Sequence, residues 1–261
     1  MIHLKDKLEQ VYSDYNKREY VNPDPLLFLY NYPEKKNREI AGFIGACLAY
    51  GRVESIMETV AGILDKLGTA PFDYLMTRTK NDMANDFKGF RYRFASDVNL
   101  VNLLWGIRDV LKRFSSLENC FCAGMSPENK TVIPGLVFFV EQIRKNKEIG
   151  HLLADPQKKS ACKRSLLFLR WMVRRDGVDP GGWEKINPSL LIVPLDTHMH
   201  KIGRMLEFTK RKSQDMKTAL EITKGFKRIL KQDPVKYDFC LTRFGIRKGL
   251  SIDDLQHFIY T

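Results

Sequence analysis

Pro194-Leu195-Asp196-Thr197-His198-Met199-His200-Lys201-Ile202 gathers one carboxylate and two imidazoles where an apolar run gives way to a helical pattern. Leu190 to Val193 is apolar and Pro194 halts regular structure, so Asp196 falls at the N-cap of a helix predicted to continue through Met205 and Leu206. A carboxylate there accepts backbone N–H bonds and meets the positive end of the helix dipole, and both favour its ionised form. What such a group offers is electrostatic chemistry: a fixed anion that stabilises positive charge developing on a substrate. Capping alone also accounts for Asp-Thr before a helix, and the two roles are compatible.

The two histidines suggest a second chemistry, metal-dependent hydrolysis, with Leu191 to His200 as a strand ending in His-x-His. That motif opens long alternating β/α domains, and too few residues follow His200 for the remaining barrel units. On a helix the two imidazoles differ by about 200° and face different sides, which makes them poor co-ligands. Cys47, Cys120, Cys122, Cys162 and Cys240 are scattered, odd in number and without a CxxC pair, which argues against disulfides, zinc and iron–sulfur ligation. No metal and no cofactor is expected.

The elements that must position Asp196 are helical. Leu4, Leu8 and Val11, then Ile40, Phe43, Ile44, Cys47 and Leu48, recur at intervals of three and four. A helix is predicted from Val53 through Leu67, ended by Gly68, and a short one from Pro71 to Met76. Lys88 to Phe94 alternates aromatic and basic residues, after which Asp97 is the expected cap of a helix carrying Leu100 to Leu111. Leu117 to Phe121, Pro134 to Ile143, Ser160 to Val173, Met216 to Leu230 and Lys236 to Phe244 complete the predicted helices. The loop Asp176-Gly177-Val178-Asp179-Pro180-Gly181-Gly182-Trp183 is dense in turn formers. With no sustained strand alternation and no repeat, the fold is expected to be all-α: one domain over residues 1–261. It would have two lobes, about 30–150 and 1–29 with 151–261, the second carrying Asp196.

A chain of 261 residues with 44% hydrophobic residues can build a real core, and a net charge of +12 favours polyanionic partners. No apolar run approaches the roughly 20 residues that cross a bilayer, and no signal pattern opens the chain, so a soluble, cytoplasmic protein without membrane partners is expected.

Helix, Gly/Pro-rich loop, then Leu-Asp-Thr-His-x-His-Lys-Ile resembles the helix-hairpin-helix, Gly/Pro-loop, Asp superfamily of DNA glycosylases, in which a Val-Asp-Thr-His-like sequence opens the helix bearing the catalytic aspartate. Asp196 is the matching residue. Glu39 to Gly51 is similar to the early helix that ends near the substrate pocket, and Asp233 to Gly245 to the helix that closes the domain. Over its whole length the chain resembles still more closely an uncharacterised bacterial domain-of-unknown-function family, which supplies no activity. The glycosylase resemblance implies a split helical bundle, a DNA ligand, and cleavage of the N-glycosidic bond of a damaged base with Asp196 as electrostatic stabiliser.

In lyase-type members a lysine opens the helix before the loop, and here Lys163 or Arg164 occupies that place. Its separation from Asp196 is more like the archaeal 8-oxoguanine glycosylase branch than endonuclease III. Only Lys163 can form a Schiff base, because arginine stays protonated, and about 100° of helix rotation decides which of the two faces Asp196. Pro156-Gln157-Lys158-Lys159-Ser160 stands where the hairpin of the resemblance would be, and the four-cysteine cluster of its iron–sulfur members is missing.

Extrusion of a base calls for aromatic walls and for cations on the backbone. Tyr50, Tyr92, Trp171 and Trp183 are the candidate walls. Arg52, Arg91, Arg93, Lys158, Lys159, Arg164, His198 and Lys201 are the candidate nucleic-acid contacts. Arg174, Arg175, Lys210 to Lys212, Arg243, Arg247 and Lys248 are further basic candidates. A non-catalytic nucleic-acid binder of the same fold is the competing expectation.

Overall fold

The computed structural model describes residues 2–247 and 249–261, with nothing described for the side chain of Ile2. The chain is all-α. In order come α1 (Ile2–Tyr15), α2 (Lys35–Leu48), α3 (Val53–Leu67), α4 (Pro71–Thr77), α5 (Lys80–Asp86), a small antiparallel pair β1 (Arg91–Tyr92) and β2 (Ala95–Ser96), α6 (Asp97–Phe114), α7 (Leu117–Ala123), α8 (Ile133–Arg144), α9 (Lys163–Val173), α10 (Thr197–Met205), α11 (Met216–Ile229), α12 (Asp238–Ile246) and α13 (Ile252–Tyr260). Among these helices no membrane-crossing span is present: none described is both long and apolar enough.

Local chemistry sets most boundaries. α3 stops at Gly68, whose φ of 71° turns the chain while its N–H still reaches Leu64 O. α6 is capped one residue earlier than its sequence suggested. Ser96 and Asn99 form a reciprocal capping box, and Asp97 instead accepts the N–H groups of Gly89 and Val98. α9 starts at Lys163 rather than Ser160, because Ser160 Oγ takes the Cys162 N–H at 3.1 Å and Cys162 adopts a left-handed conformation, φ 49°. α5 and α13, both opened by capping boxes, were not anticipated from periodicity, and neither was the hairpin.

α2 is the hub. It packs on α9, α3, α4 and the 3-10 turn Pro25–Asn31, while α6 holds α4, α5, α7 and α8. α1, α10, α12 and α13 form a second set of contacts, and α11 joins α10 where Ile222 lies against Gly203. Phe43, Phe121, Phe139, Phe168 and Trp183 interlock between the helices with ring centroids 5.1–6.5 Å apart. Each such buried ring contributes roughly 1.5–3 kcal/mol.

α9 bridges the two sets. One face lies on α2, and from the other Arg170 and Arg174 reach a nearly dry ion cluster. Arg170 contacts Asp179 at 3.2 Å and Asp238 of α12 at 2.5 Å, and Arg174 pairs with Asp179, with Asp176 at 2.8 Å and with Asp233 at 2.8 Å. The Gly/Pro-rich loop is thus pinned by charge at Asp176 and Asp179, and by its backbone where Gly181 and Trp183 donate to Trp171 O and Met172 O. Removing one partner from such a cluster leaves a buried charge uncompensated, at a cost of about 3–5 kcal/mol.

Candidate active site

The loop delivers the chain to Asp196 in an extended stretch. Leu190 O accepts from Val132 N, Thr223 Oγ1 accepts from Val193 N, and Leu191 to Leu195 are buried. Asp196 then turns out of that layer as the N-cap of α10. Its Oδ1 accepts the Met199 N–H at 2.8 Å, which leaves Oδ2 facing Lys163 Nζ at 3.6 Å. Capping and ion pairing therefore use different oxygens of one carboxylate.

Of the two cations that open α9, Lys163 faces Asp196. Arg164 turns instead onto backbone, donating to the carbonyls of Cys47, His151 and Leu152, with its guanidinium 4.7 Å from the Tyr50 ring centroid. Arg164 is a strut between α9 and the end of α2, not a free phosphate contact.

The Lys163 and Asp196 side chains are 37% and 19% exposed, so the pair is open to solvent. Asp238 of α12 is buried, and its carboxyl is pushed up by burial and, in the same direction, by the charge of Asp196, against the Arg170 guanidinium. Asp238 Oδ1 is buried without a hydrogen-bond partner. Two hollows lie elsewhere, one of about 540 Å³ among Trp105, Arg113 and Lys147 and one of about 510 Å³ beside Phe87 and Arg91.

Of the expected base-pocket walls, Tyr50 and Tyr92 meet edge-to-face with ring centroids 5.0 Å apart, while the two tryptophans lie in the core. Trp171 and Trp183 are 1% and 2% exposed and belong to the core, and Trp183 donates its indole N–H to the buried Glu39 at 2.9 Å. Their place is set by the aromatic packing between helices, so neither offers a face to a base. Tyr92 is also buried, donating its hydroxyl to Tyr50 O, and Tyr50 alone of the four keeps part of its ring accessible. Gly51 makes this junction possible. Its φ is 108°, and a Cβ there would stand 2.9 Å from Arg93 Nη1 and 3.1 Å from Tyr92 Oη.

Arg52, Arg91, Arg93, Lys158, Lys159 and Lys201 are exposed. His198 is half-buried with its ring on Gly245 of α12, and His200 is buried with Nε2 2.9 Å from Arg211 O. The histidines pack and brace; among the described residues no group of three or more His, Cys, Asp and Glu is placed to hold a metal ion. Arg174 and Arg243, expected as surface cations, are 4% exposed and engaged with Asp176, Asp179, Asp233 and Asp24. Lys248 lies outside the described residues.

Sequence reasoning missed Glu39 and Glu118. Both are fully buried: Glu39 accepts the Leu117 and Glu118 N–H groups at the start of α7, and Glu118 accepts those of Glu184 and Lys185. Glu39 directly precedes the apolar run of α2 and stands four residues before Phe43, on the same helix face, and that spacing was the available signal.

Comparison with curated proteins and with solved structures finds no match. Residues 24–247 match one family across nearly the whole helical assembly, and the chain belongs to that family, described as Protein of unknown function (DUF2400).

Proposed function

We propose that this protein cleaves the N-glycosidic bond of a damaged base in DNA, with Asp196 stabilising the charge left on the sugar and Lys163 acting as the nucleophile. The single observation that carries the reading is the 3.6 Å approach of Lys163 Nζ to Asp196 Oδ2, made by residues that open two different helices and remain open to solvent.

The chemistry balances on these two groups. The amine forms a C–N bond to C1′ as the glycosidic bond breaks, and the bonding pair leaves with the base, which takes up a proton. That proton originates on Lys163: Asp196 takes it from the ammonium before attack and returns it to the departing base, so the carboxylate is an anion again once the base has left. The nitrogen passes a second proton to O4′ as the sugar ring opens, which gives a protonated imine. The positive charge then carried by the sugar carbon and nitrogen is offset by the Asp196 carboxylate a few ångströms away, as in glycosidases. Because the pair is partly exposed, solvent screens it in the free protein. A nucleic-acid strand laid across the starts of α9 and α10 would exclude that water and strengthen both roles.

The net charge of +12 and the exposed Arg52, Arg91, Arg93, Lys158, Lys159 and Lys201 support DNA as the ligand. The test is borohydride trapping on duplexes carrying a panel of base lesions. Wild type should give a covalent product with at least one lesion and Lys163→Ala none. Base release without trapping would leave a water nucleophile with Asp196. Neither release nor trapping across the panel would overturn the enzyme reading and favour a non-catalytic binder.

A further inference from the structure

The β1–β2 hairpin ends in an aromatic that neither the core nor the Lys163–Asp196 pair uses. Phe94 is 70% exposed, which forgoes roughly 1.5–3 kcal/mol of burial. The hairpin that presents it is nonetheless fixed. Arg91 pairs with Ser96 and Tyr92 with Ala95, and Arg93 holds a left-handed turn, φ 52°. Tyr92 anchors the strand by donating to Tyr50 O.

From this tip a row of rings runs to the start of α9. Phe94 meets His151 edge-to-face at 5.3 Å, and His151 meets Tyr50 at 5.0 Å. Arg164, 4.7 Å over Tyr50, is the chain neighbour of Lys163, which faces Asp196. Cations accompany the row: the Arg93 guanidinium lies 5.7 Å from the Phe94 ring centroid and 6.0 Å from that of Tyr50, and Arg91 in the same hairpin and Arg52, two residues after Tyr50, are exposed. The nearby Asp97 has its carboxylate engaged by the Gly89 and Val98 N–H groups. Desolvation, and after it the Arg164 and Arg93 guanidiniums, lower the pKa of the His151 imidazole from its ordinary value.

We infer that Phe94 is a base-stacking contact that holds an unpaired nucleotide of a bound DNA strand, with Arg91 and Arg93 on the flanking phosphates. An exposed ring among arginines suits a base with its phosphates better than an apolar protein surface, since stacking needs a ring face and the phosphates need the cations. The inference rests on the nucleic-acid reading proposed above. It adds the element that engages the strand and the requirement that the strand be locally open.

Fluorescence anisotropy with a labelled single-stranded oligodeoxythymidine at low salt tests it. Phe94→Ala should weaken binding about ten- to a hundredfold while leaving the salt dependence of affinity unchanged, because the phosphate contacts stay. In Phe94→Trp, tryptophan emission should fall on binding by more than the change seen in wild type. Wild-type affinity in Phe94→Ala, or unaltered emission of bound Phe94→Trp, overturns this inference and leaves the base-release reading standing. No binding by wild type to this strand or to lesion duplexes overturns both.

Discussion

Lys163 and Arg164, neighbours in the first turn of α9, send their charges to different tasks. Lys163 Nζ stands 3.6 Å from Asp196 Oδ2, whereas Arg164 donates to three backbone carbonyls, those of Cys47, His151 and Leu152. Arg164→Ala leaves those carbonyls short of a donor and should cost about 2–3 kcal/mol in urea unfolding. Lys163→Ala removes only a partly exposed pair and should cost about 0.5 kcal/mol or less. Equal costs would contradict this division of labour.

Asp196 serves both structure and the proposed chemistry, and two substitutions separate them. Asn is as good an N-cap as Asp, so Asp196→Asn should keep stability within about 0.5 kcal/mol. Asp196→Ala loses the bond from Met199 N and should cost about 1 kcal/mol. Base release should be abolished in both, with DNA affinity retained in Asp196→Asn. Full base release by Asp196→Asn would reduce this residue to a cap.

The helices with a one-sided apolar pattern and a local stop signal were legible in the sequence. The Val53–Leu67 helix ends at Gly68 as read, and Asp196 caps α10. What was not legible depends on side chains meeting across the fold. Trp171 of α9 and Trp183 of the following loop looked like pocket walls because an isolated sequence does not say which rings a distant segment will cover; Trp183 packs on Phe121, Phe139 and Phe168. α2 covers α9, and both rings are buried. Arg174 read as a surface cation until Asp176 and Asp179 of the loop and Asp233 from further along the chain converged on it. The choice between Lys163 and Arg164 turned on one residue of helix register, which the left-handed Cys162 fixes.

Glu39 supplies a pH signature. Its carboxyl is fully buried, and burial pushes it up to about 7, against the opposing pull of the Leu117, Trp183 and Glu118 N–H donors and of Lys35. Between its unfolded value near 4.5 and about 7 the folded state binds the extra proton, so stability falls as pH rises through this window. The contribution is roughly 3 kcal/mol across it. Glu39→Gln cannot ionise. Its urea stability, plotted from pH 5 to pH 7, should lack this downward slope relative to wild type, whatever its absolute loss. Parallel profiles for the two proteins would show that Glu39 is ionised throughout.

The position of Asp196 depends on how closely α10 approaches α12, and Gly245 sets that approach. A Cβ at Gly245 would stand 2.1 Å from His198 Nδ1, 2.6 Å from Cγ and 3.0 Å from Cβ, so the root of the side chain obstructs it as well as the ring. The obstruction cannot be cleared by rotating the imidazole alone, and α10 must shift in its first turn, two residues beyond Asp196. Gly245→Ala should therefore cost about 1–3 kcal/mol and lower the yield of borohydride-trapped product by moving Asp196 relative to Lys163. Removing the ring takes away the two closest contacts and leaves only the 3.0 Å approach to Cβ, so Gly245→Ala with His198→Ala should be less destabilised than the sum of the single variants by about 1 kcal/mol or more. Strict additivity in that cycle would mean that α10 and α12 do not meet at these two residues, and the placement of Asp196 would lose its support.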